Sequence, residues 1–445
     1  MTTTSPRTPH ATTRASAPPT TVFINARLVD PAGNRDEPGG LLVRDGMIAE
    51  VGPQLRRNAP EGAAVVDCKG HVLCPGLIDM QVFTGEPGTE HRESLRTAGE
   101  AAVAGGVTTI VVMPDTNPVI DEVALVDFIQ RRGRDNCVVN VHTFAALTKG
   151  LAGREMTEIG LLKRTGAIGF SNGKISVADT KVMRNALLYA KDFGALIVHH
   201  TEDPCLGHGA AMNSGPTSAR LGLPAVHKMA EVIMLERDIR LVEITGGRYH
   251  AATISCAESL AVVKAAKARN LPVTCGVSIN HLTLTENDIG PYRTFFKLRP
   301  PLRTEEDRAA LVRGVAQGDI DVVVSSHDPQ DADGKRRPFA EAADGAIGLE
   351  TLLAAALKLH HEDKIALPTL LRPMTIKPAT LLGLPSGRLE QGAPADLTMF
   401  DPNVTWAVDR SKLRSRSKNS PFDERTLQGR VLSTMVAGRT VFQYD

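Results

Sequence analysis

The chain has 445 residues, which is too long for one ordinary hydrophobic core and suits a barrel of about 250 to 300 residues with a smaller module. Its 51 basic and 50 acidic residues give a formal net charge of +1, which excludes the strongly basic surface of a nucleic-acid or anionic-membrane binder. The sequence contains no apolar run of about 18 residues and no apolar signal segment, so we expect a cytoplasmic protein.

The cysteines give no sign of a metal or disulfide framework. None of the six forms a C-x-x-C pair, which argues against a zinc ribbon or a secreted, disulfide-rich fold. We expect free thiols in a reducing compartment. The six are Cys68, Cys74, Cys137, Cys205, Cys256 and Cys275.

Both ends of the chain differ in character from its middle. Residues 1–20 are rich in Thr, Ser, Pro and Ala and have too little apolar surface to repay ordering, which predicts a disordered tail. Its prolines argue against the amphipathic helix of a transit peptide. Residues 21–75 alternate apolar and polar positions between Asp-Gly and Gly-Pro turns, and residues 388–445 repeat that pattern. We predict a small β-sandwich assembled from both segments.

The middle segment, residues 76–387, alternates apolar strand candidates with amphipathic helices. Eight such alternations predict an α/β fold with a closed (β/α)8 TIM-type barrel. Chemistry in that fold lies where the strands end. The strand candidates are 76–82, 108–114, 137–142, 167–170, 195–200, 249–255, 271–277 and 320–326.

A series of short motifs carries a family resemblance that runs in order along nearly the whole chain. On these motifs the chain resembles the dihydroorotase branch of the amidohydrolase superfamily. Each motif is weak alone, and their common order makes the resemblance strong. The motifs are 75–79 (PGLID), 86–88 (EPG), 105–109 (GGVTT), 113–118 (MPDTNP), 200–203 (HTED), 300–303 (PPLR), 348–351 (GLET) and 392–397 (GAPADL).

The resemblance implies a metal centre, usually zinc, that activates water and polarises a cyclic amide. Its ligands would come from five strand ends, with an Asp after the eighth strand also moving the proton. Here only His200, after the fifth strand, is a retained ligand. Neutral or apolar side chains stand at the other positions, and they cannot hold a catalytic zinc. These degenerate positions are Gln81, Phe83, Asn172, Thr253 and Ser326.

The positions that the resemblance assigns to substrate binding are altered as well. Gly85 stands where the family has an Arg for the substrate carboxylate, which removes a bidentate anion contact. Asp115 and Arg299 occupy positions of family asparagines, and Asn280 and Gln330 depart from family histidines. We therefore interpret Asp115, Asn280 and Arg299 as vestigial substrate positions.

Two groups near strand ends leave alternatives open. His199 and His200 are either a remnant site or hydrogen-bonded core residues, and we favour the core interpretation. Ser326, His327 and Asp328 are vestigial catalytic positions, although His327 and Asp328 could form a displaced acid/base pair in which Ser326 and Asp328 exchange roles. The turn expected at Pro329 makes that geometry unreliable.

Two charged groups also have a plain structural interpretation. Glu202, Asp203 and Glu350 could bind a cation, but helix capping and pairing with Arg303 are the favoured interpretation. The basic run at residues 410–418 could meet an acidic partner, and we expect instead a solvated loop.

Two hypotheses follow. The preferred one is a non-catalytic dihydroorotase homologue of pyrimidine biosynthesis, without a cofactor. By resemblance, it would bind aspartate transcarbamoylase as a homodimer within a larger assembly. We expect it to bind neither nucleic acid nor membrane. The alternative is an active dihydroorotase or related cyclic amidohydrolase. It requires His200, His281, His327 and Asp328 to converge on one zinc ion at bond lengths of about 2.0 to 2.2 Å.

Overall fold

The computed structural model describes residues 20–55 and 60–444. The predicted disordered tail at residues 1–20 lies outside the described residues except for Thr20. The described chain contains a parallel barrel and a separate β-sheet domain. This arrangement confirms the predicted fold class.

The first five strands open the β-sheet domain. Apolar residues alternate along them, and turns that contain Asn34 and Asp45 at positive φ connect the first three. Both residue types tolerate that left-handed conformation in tight turns. The strands are β1 (Thr21–Asp30), β2 (Arg35–Arg44), β3 (Met47–Gly52), β4 (Ala64–Asp67) and β5 (Val72–Pro75).

The barrel strands are short, rich in β-branched residues and buried, as expected for a parallel sheet covered by helices. They form one eight-stranded sheet within the described residues, and a parallel bridge between Val82 and His327 brings its first and last strands together. The chain also adds a two-stranded pair, β11 (Met212–Asn213) and β12 (Ala225–Val226). The barrel strands are β6 (Leu77–Val82), β7 (Val107–Val112), β8 (Asn140–Ala146), β9 (Gly169–Ser171), β10 (Leu196–His199), β13 (Arg248–Ala251), β14 (Val273–Ser278) and β15 (Val322–Val324).

Helices follow the strands and cover the barrel. Side chains of Ser94, Asp179 and Thr304 accept backbone amide protons at the starts of three of them, which satisfies amides that a helix start leaves unpaired. The helices are α1 (Leu95–Ala104), α2 (Val123–Asn136), α3 (Ile159–Thr165), α4 (Thr180–Asp192), α5 (Pro216–Leu221), α6 (Met229–Thr245), α7 (Ala257–Ala268), α8 (Ile279–Thr283), α9 (Glu305–Gln317), α10 (Ala332–Lys335), α11 (Leu352–His361), α12 (Leu367–Leu371) and α13 (Ile376–Leu382).

The C-terminal strands β16 (Leu397–Ala407), β17 (Thr426–Val436) and β18 (Arg439–Gln443) complete the β-sheet domain. The sheet order is β18-β17-β16-β5-β1-β2-β3, with β4 beside β1, so both chain ends share one sheet. β16 pairs antiparallel with β5, immediately before the first barrel strand. This pairing fixes the β-sheet domain to the start of the barrel. None of the helices in the described part of the chain is long and apolar enough to cross a membrane.

Candidate functional site

The site that the sequence indicates lies at the carboxyl ends of the barrel strands. Asp79 is fully buried in the first of them, and its two carboxylate oxygens accept the amides of Gln81 and Ser325, each at 3.1 Å. The amide of Phe83 donates to the carbonyl oxygen of His327 at 2.8 Å. The contacts of Asp79 with Ser325 and of Phe83 with His327 join the first strand end to the eighth. These two strand ends therefore lie side by side.

The first strand end places Gln81 and Phe83 in the barrel mouth. Phe83 is 9% exposed and belongs to the apolar cluster inside the barrel, together with Val111 and Met113. The ammonium nitrogen of Lys174 lies 4.8 Å from the centre of the Phe83 ring, within reach of a cation–π attraction. An aromatic ring and a carboxamide thus stand where the resemblance implies two imidazoles.

The fourth strand end places Asn172 against a neighbouring loop. Its carboxamide nitrogen donates to the Thr148 hydroxyl at 2.7 Å, and its oxygen accepts the Thr148 amide at 3.0 Å. Asn172 is 1% exposed. The side chain therefore ties the strand end to the loop after β8, which leaves little capacity for a metal.

A lysine occupies the middle of the mouth. Lys174 Nζ donates to Asp328 Oδ2 at 2.7 Å, and the Gln330 carboxamide donates to Asp328 Oδ1, also at 2.7 Å. Burial and the negative charge of Asp328 raise the pKa of the half-buried Asp115 to about 6, although Lys174 opposes the shift. Burial lowers the pKa of Lys174, but attraction to Asp328 and Asp115 outweighs it and raises that pKa overall. The mouth holds a fixed internal cation.

The fifth strand end separates its two histidines. His199 is a hydrogen-bonded core residue, as predicted, because its Nδ1 lies 2.7 Å from Asp238 Oδ2 and its Nε2 accepts the Val177 amide at 2.8 Å. The same prediction is wrong for His200, whose buried Nε2 has no hydrogen-bond partner and lies 3.9 Å from Glu202. Burial and then the nearby Arg299 charge lower the pKa of His200 to about 3. This imidazole is neutral.

Further polar atoms around the mouth are buried without partners. They include Thr253 Oγ1 on the sixth strand end and Asn280 Oδ1 on the seventh. His281 is turned toward the backbone, where its Nε2 lies 3.2 Å from the Pro301 carbonyl oxygen. Burial lowers the pKa of His281 to about 4, so this ring is also neutral.

The eighth strand end turns His327 away from Asp328. Its Nδ1 accepts the Gly348 amide at 3.2 Å, and its Nε2 lies 3.4 Å from Glu93 Oε2. Ser326 has a φ of +50°, a left-handed conformation that breaks the strand's alternation. His327 therefore packs toward the start of α1 while Asp328 pairs with Lys174. A displaced acid/base pair of His327 and Asp328 does not form.

The predicted pairing of Glu350 with Arg303 is wrong. Arg303 lies 3.6 Å from Glu231, whereas Glu350 Oε1 accepts the amides of Arg414 and Ser415. Burial raises the pKa of Glu350 to about 7, although both amides oppose the shift.

Arg299 contacts another of the charged residues at the mouth. Its Nη2 lies 2.5 Å from the buried Glu202 carboxylate. This pair stands beside His200, so Glu202 here neutralises an arginine.

The donor set at the mouth does not fit zinc. Throughout residues 20–55 and 60–444 no three His, Cys, Asp or Glu side chains are grouped so that they could hold a metal ion. His281 bonds to a carbonyl oxygen, His327 faces Glu93 and Asp328 binds Lys174, so these three do not converge with His200. One free imidazole beside a hydroxyl and an amide oxygen lacks the ligands that zinc requires.

Sequence reasoning missed two residues that organise the mouth. Lys174 follows Asn172 by two positions, and a charged residue just beyond a predicted strand end was a usable signal. Glu93 meets His327 and residues near 415 only through the fold, so no local pattern identifies it.

Comparison with known proteins places the chain in a family. Residues 70–259 match the family described as "Dihydro-orotase-like", and residues 340–442 match the "Amidohydrolase family". A protein named "Dihydroorotase" from Anaplasma phagocytophilum is 40% identical, covering 96% of each chain. Another of that name from Geotalea daltonii is 40% identical, covering 95% of this chain and all of its own.

The solved structures support the same architecture. L-hydantoinase (dihydropyrimidinase) from Arthrobacter aurescens superimposes with a TM-score of 0.87 at 24% identity, covering 96% of each chain. A D-hydantoinase superimposes with a TM-score of 0.82 at 22% identity. At that identity the likeness concerns the fold. The ordered motifs and the relatives that match over nearly the full length show that the chain belongs to the dihydroorotase-like family of the amidohydrolases.

Proposed function

We propose that this chain is a cytoplasmic, non-catalytic dihydroorotase homologue of pyrimidine biosynthesis that acts by binding aspartate transcarbamoylase. The observation that carries the proposal is the barrel mouth itself. Phe83 occupies a position where a metal ligand would be needed, and the positively charged ammonium group of Lys174 binds Asp328. A positive side chain in that place disfavours a divalent cation through like-charge repulsion. This arrangement does not support metal-activated hydrolysis.

The space beside the Arg299–Glu202 ion pair is too small for a substrate. The cavity bordered by Glu202, Arg299 and Asp344 has a volume of only about 10 Å³. That is room for about one water molecule, far less than a cyclic amide occupies. The Arg299–Glu202 ion pair holds this part of the mouth together.

The outside of the barrel offers a surface for a protein partner. The packed helices α3, α4 and α6 carry large apolar side chains that are well exposed, among them Leu161, Leu188 and Ile244 at 47%, 54% and 69%. The exposed rings of Tyr189 and Phe193 contact each other edge to face at 5.2 Å. Clustered exposed apolar groups of this kind often mark protein interfaces. We name this surface the α3/α4/α6 face.

Co-purification tests the partnership. The full chain is co-expressed with aspartate transcarbamoylase from the same organism, and the mixture is resolved by size-exclusion chromatography at micromolar concentration. We expect one large assembly. The variant Leu188→Glu with Ile244→Glu should dissociate it, because desolvating an unpaired charge in an interface costs several kcal/mol.

Two matched variants separate surface effects from effects of the mouth. Val404→Glu introduces the same charge at an exposed apolar position of the β-sheet domain, and His200→Ala alters the mouth. Both should leave the assembly intact. Independent migration of the two wild-type proteins, with a transferase that is equally stable alone, would overturn the proposed partnership.

The second candidate function is an active dihydroorotase. Identity of about 40% over nearly the full length of proteins named "Dihydroorotase" favours it. Without a fitting zinc set, its chemistry would have to use the Lys174, Asp328 and Asp115 cluster. In that case the wild-type protein should hydrolyse dihydroorotate, and Lys174→Met should abolish this activity. The non-catalytic proposal expects no hydrolysis by the wild-type protein or by the variant.

A further inference from the structure

The basic run at residues 410–418 exposes most of its basic side chains, as predicted for a solvated loop, but its backbone is fixed. Glu350 accepts the amides of Arg414 and Ser415, and Glu93 accepts the Arg416 amide and the Ser415 hydroxyl. Both carboxylates lie in the barrel domain and hold the segment by its backbone and the Ser415 hydroxyl, so they do not neutralise its guanidinium groups. We name residues 410–419 the basic strap.

The strap forms one wall of a cavity of about 640 Å³. The lining also includes residues of α10, Phe295 and Gln330. Small-molecule sites occupy about 300 to 1,000 Å³, so the size is that of a ligand pocket. Gln330 also donates to Asp328, which connects this lining to the barrel mouth.

The charge of the cavity wall is strongly unbalanced. Five basic side chains line it against one acidic side chain, Asp331. That carboxylate already contacts His91 at 3.1 Å and Arg92 at 3.2 Å. The five basic residues are Lys335, Arg336, Arg410, Arg416 and Lys418.

Several of these cations have no carboxylate partner. In the part of the chain that the structure describes, Lys335, Arg416 and Lys418 donate to carbonyl oxygens and lie beyond ion-pair distance of any acid. Arg410 pairs with Asp423 at 3.3 Å, and its guanidinium carbon lies 5.2 Å from the Phe295 ring centre. Stacking of this kind fixes the plane of a guanidinium. Arg336 approaches Asp333 at 3.8 Å, and the ammonium group of Lys335 already donates to three carbonyl oxygens. The lining therefore keeps a surplus of positive charge without a carboxylate partner, and Arg416 has guanidinium nitrogens that make no bond to the described residues.

We propose that this cavity, formed by the basic strap and α10, binds a small molecule through its phosphate or carboxylate group. Guanidinium groups present paired donors that match the oxygens of both anions. The proposal goes beyond the proposed function and needs neither hydrolysis nor a protein partner. Its failure would leave the partnership untouched.

Calorimetric titration of the full chain tests the site. Inorganic phosphate and succinate are titrated separately, at equal ionic strength set with sodium chloride. We expect saturable binding of at least one anion, with phosphate alone or succinate alone identifying which group the site prefers. Arg336→Gln with Arg416→Gln should weaken that binding by about tenfold or more, since two charged donors are lost.

A matched control and a clear negative complete the test. Arg184→Gln removes the same charge from the exposed face of α4 and should leave the dissociation constant within about twofold. The proposal is overturned if neither anion binds the wild-type protein below about 10 mM. It is equally overturned if the double variant binds as the wild type does, or if Arg184→Gln weakens binding as much.

Discussion

Lys174 is the residue that most clearly distinguishes this barrel mouth from a metal site. Its ammonium group binds Asp328 and lies near the Phe83 ring, so it compensates the charge of a buried carboxylate whose other hydrogen-bond partner, Gln330, is neutral. Removing one member of a buried ion pair is strongly destabilising, because the remaining charge stays uncompensated.

The first prediction follows from that ion pair. Lys174→Met should lower the free energy of unfolding by about 2 to 4 kcal/mol at pH 8. Urea denaturation measures this difference. Lys181→Met on the exposed face of α4 serves as the control and should change stability by less than about 0.5 kcal/mol. An equally stable Lys174→Met protein would show that the ion pair contributes nothing.

Asp115 supplies a prediction with a defined pH dependence. Burial raises its pKa from 3.8 to about 6 in the folded protein, so the ionised form costs stability above pH 6 and the cost fades as the pH falls toward 4. Asp115→Asn should therefore raise the free energy of unfolding by about 2 kcal/mol at pH 8 and by almost nothing at pH 4.

Urea denaturation at both pH values measures the Asp115 effect. Asp192→Asn, at an exposed position of α4, is the matched control and should have little effect at either pH. A gain of the same size at both pH values would contradict ionisation as its cause, and a loss at pH 8 would contradict the direction of the shift.

For single residues, the sequence predicted which residue types occupy the site better than it predicted where their side chains point. The absence of imidazoles at positions 81 and 83 is readable from the strand motif alone. The direction of His327 was not, because the left-handed backbone at Ser326 reverses the alternation expected along a strand. His200 was expected to be bonded, and the fold instead leaves its Nε2 without a partner.

The basic strap exposes most of its basic side chains, as predicted, but the anchoring of its backbone was not predicted. Its amides and hydroxyls bond to Glu93 and Glu350, which lie more than 60 residues away in sequence. The local composition predicts a segment exposed to solvent, but its backbone conformation is determined by long-range hydrogen bonds to buried carboxylates. By contrast, the alternation of barrel strands and helices is encoded locally by apolar periodicity, and it was predicted.

The anchoring of the strap can be tested by hydrogen exchange. Glu93→Ala removes the acceptor of the Arg416 amide and the Ser415 hydroxyl, so we expect faster amide exchange across residues 410–419. The free energy of unfolding should fall by about 2 to 4 kcal/mol, because buried donors lose their partner. Mass spectrometry locates the exchange.

Glu100→Ala, on the same helix α1, is the control for this experiment because its carboxylate only approaches Arg96 at the surface. In the Glu100→Ala protein, the backbone amides of the basic strap should exchange as slowly as they do in the wild type. Unchanged exchange in Glu93→Ala would mean that the strap is held by other contacts.

The whole molecule retains a complete barrel and β-sheet domain around an altered mouth. Core packing runs through both parts, with the barrel interior filled by side chains such as Phe144, Val198 and Phe83. Residues 70–259 and 340–442 still match families of hydrolases. The fold and the family were predictable because they depend on apolar pattern and motif order over the full length. The partner is expected only from the resemblance, because an interface has no local signature in one sequence.

One measurement tests the proposed absence of catalysis most directly. Zinc content and hydrolysis of dihydroorotate are determined on the same purified sample of the full chain, before and after treatment with a chelator. The barrel mouth described here predicts zinc well below one equivalent and no turnover above background in either state. Near-stoichiometric zinc with turnover that the chelator abolishes would contradict it and would establish the chain as a working dihydroorotase.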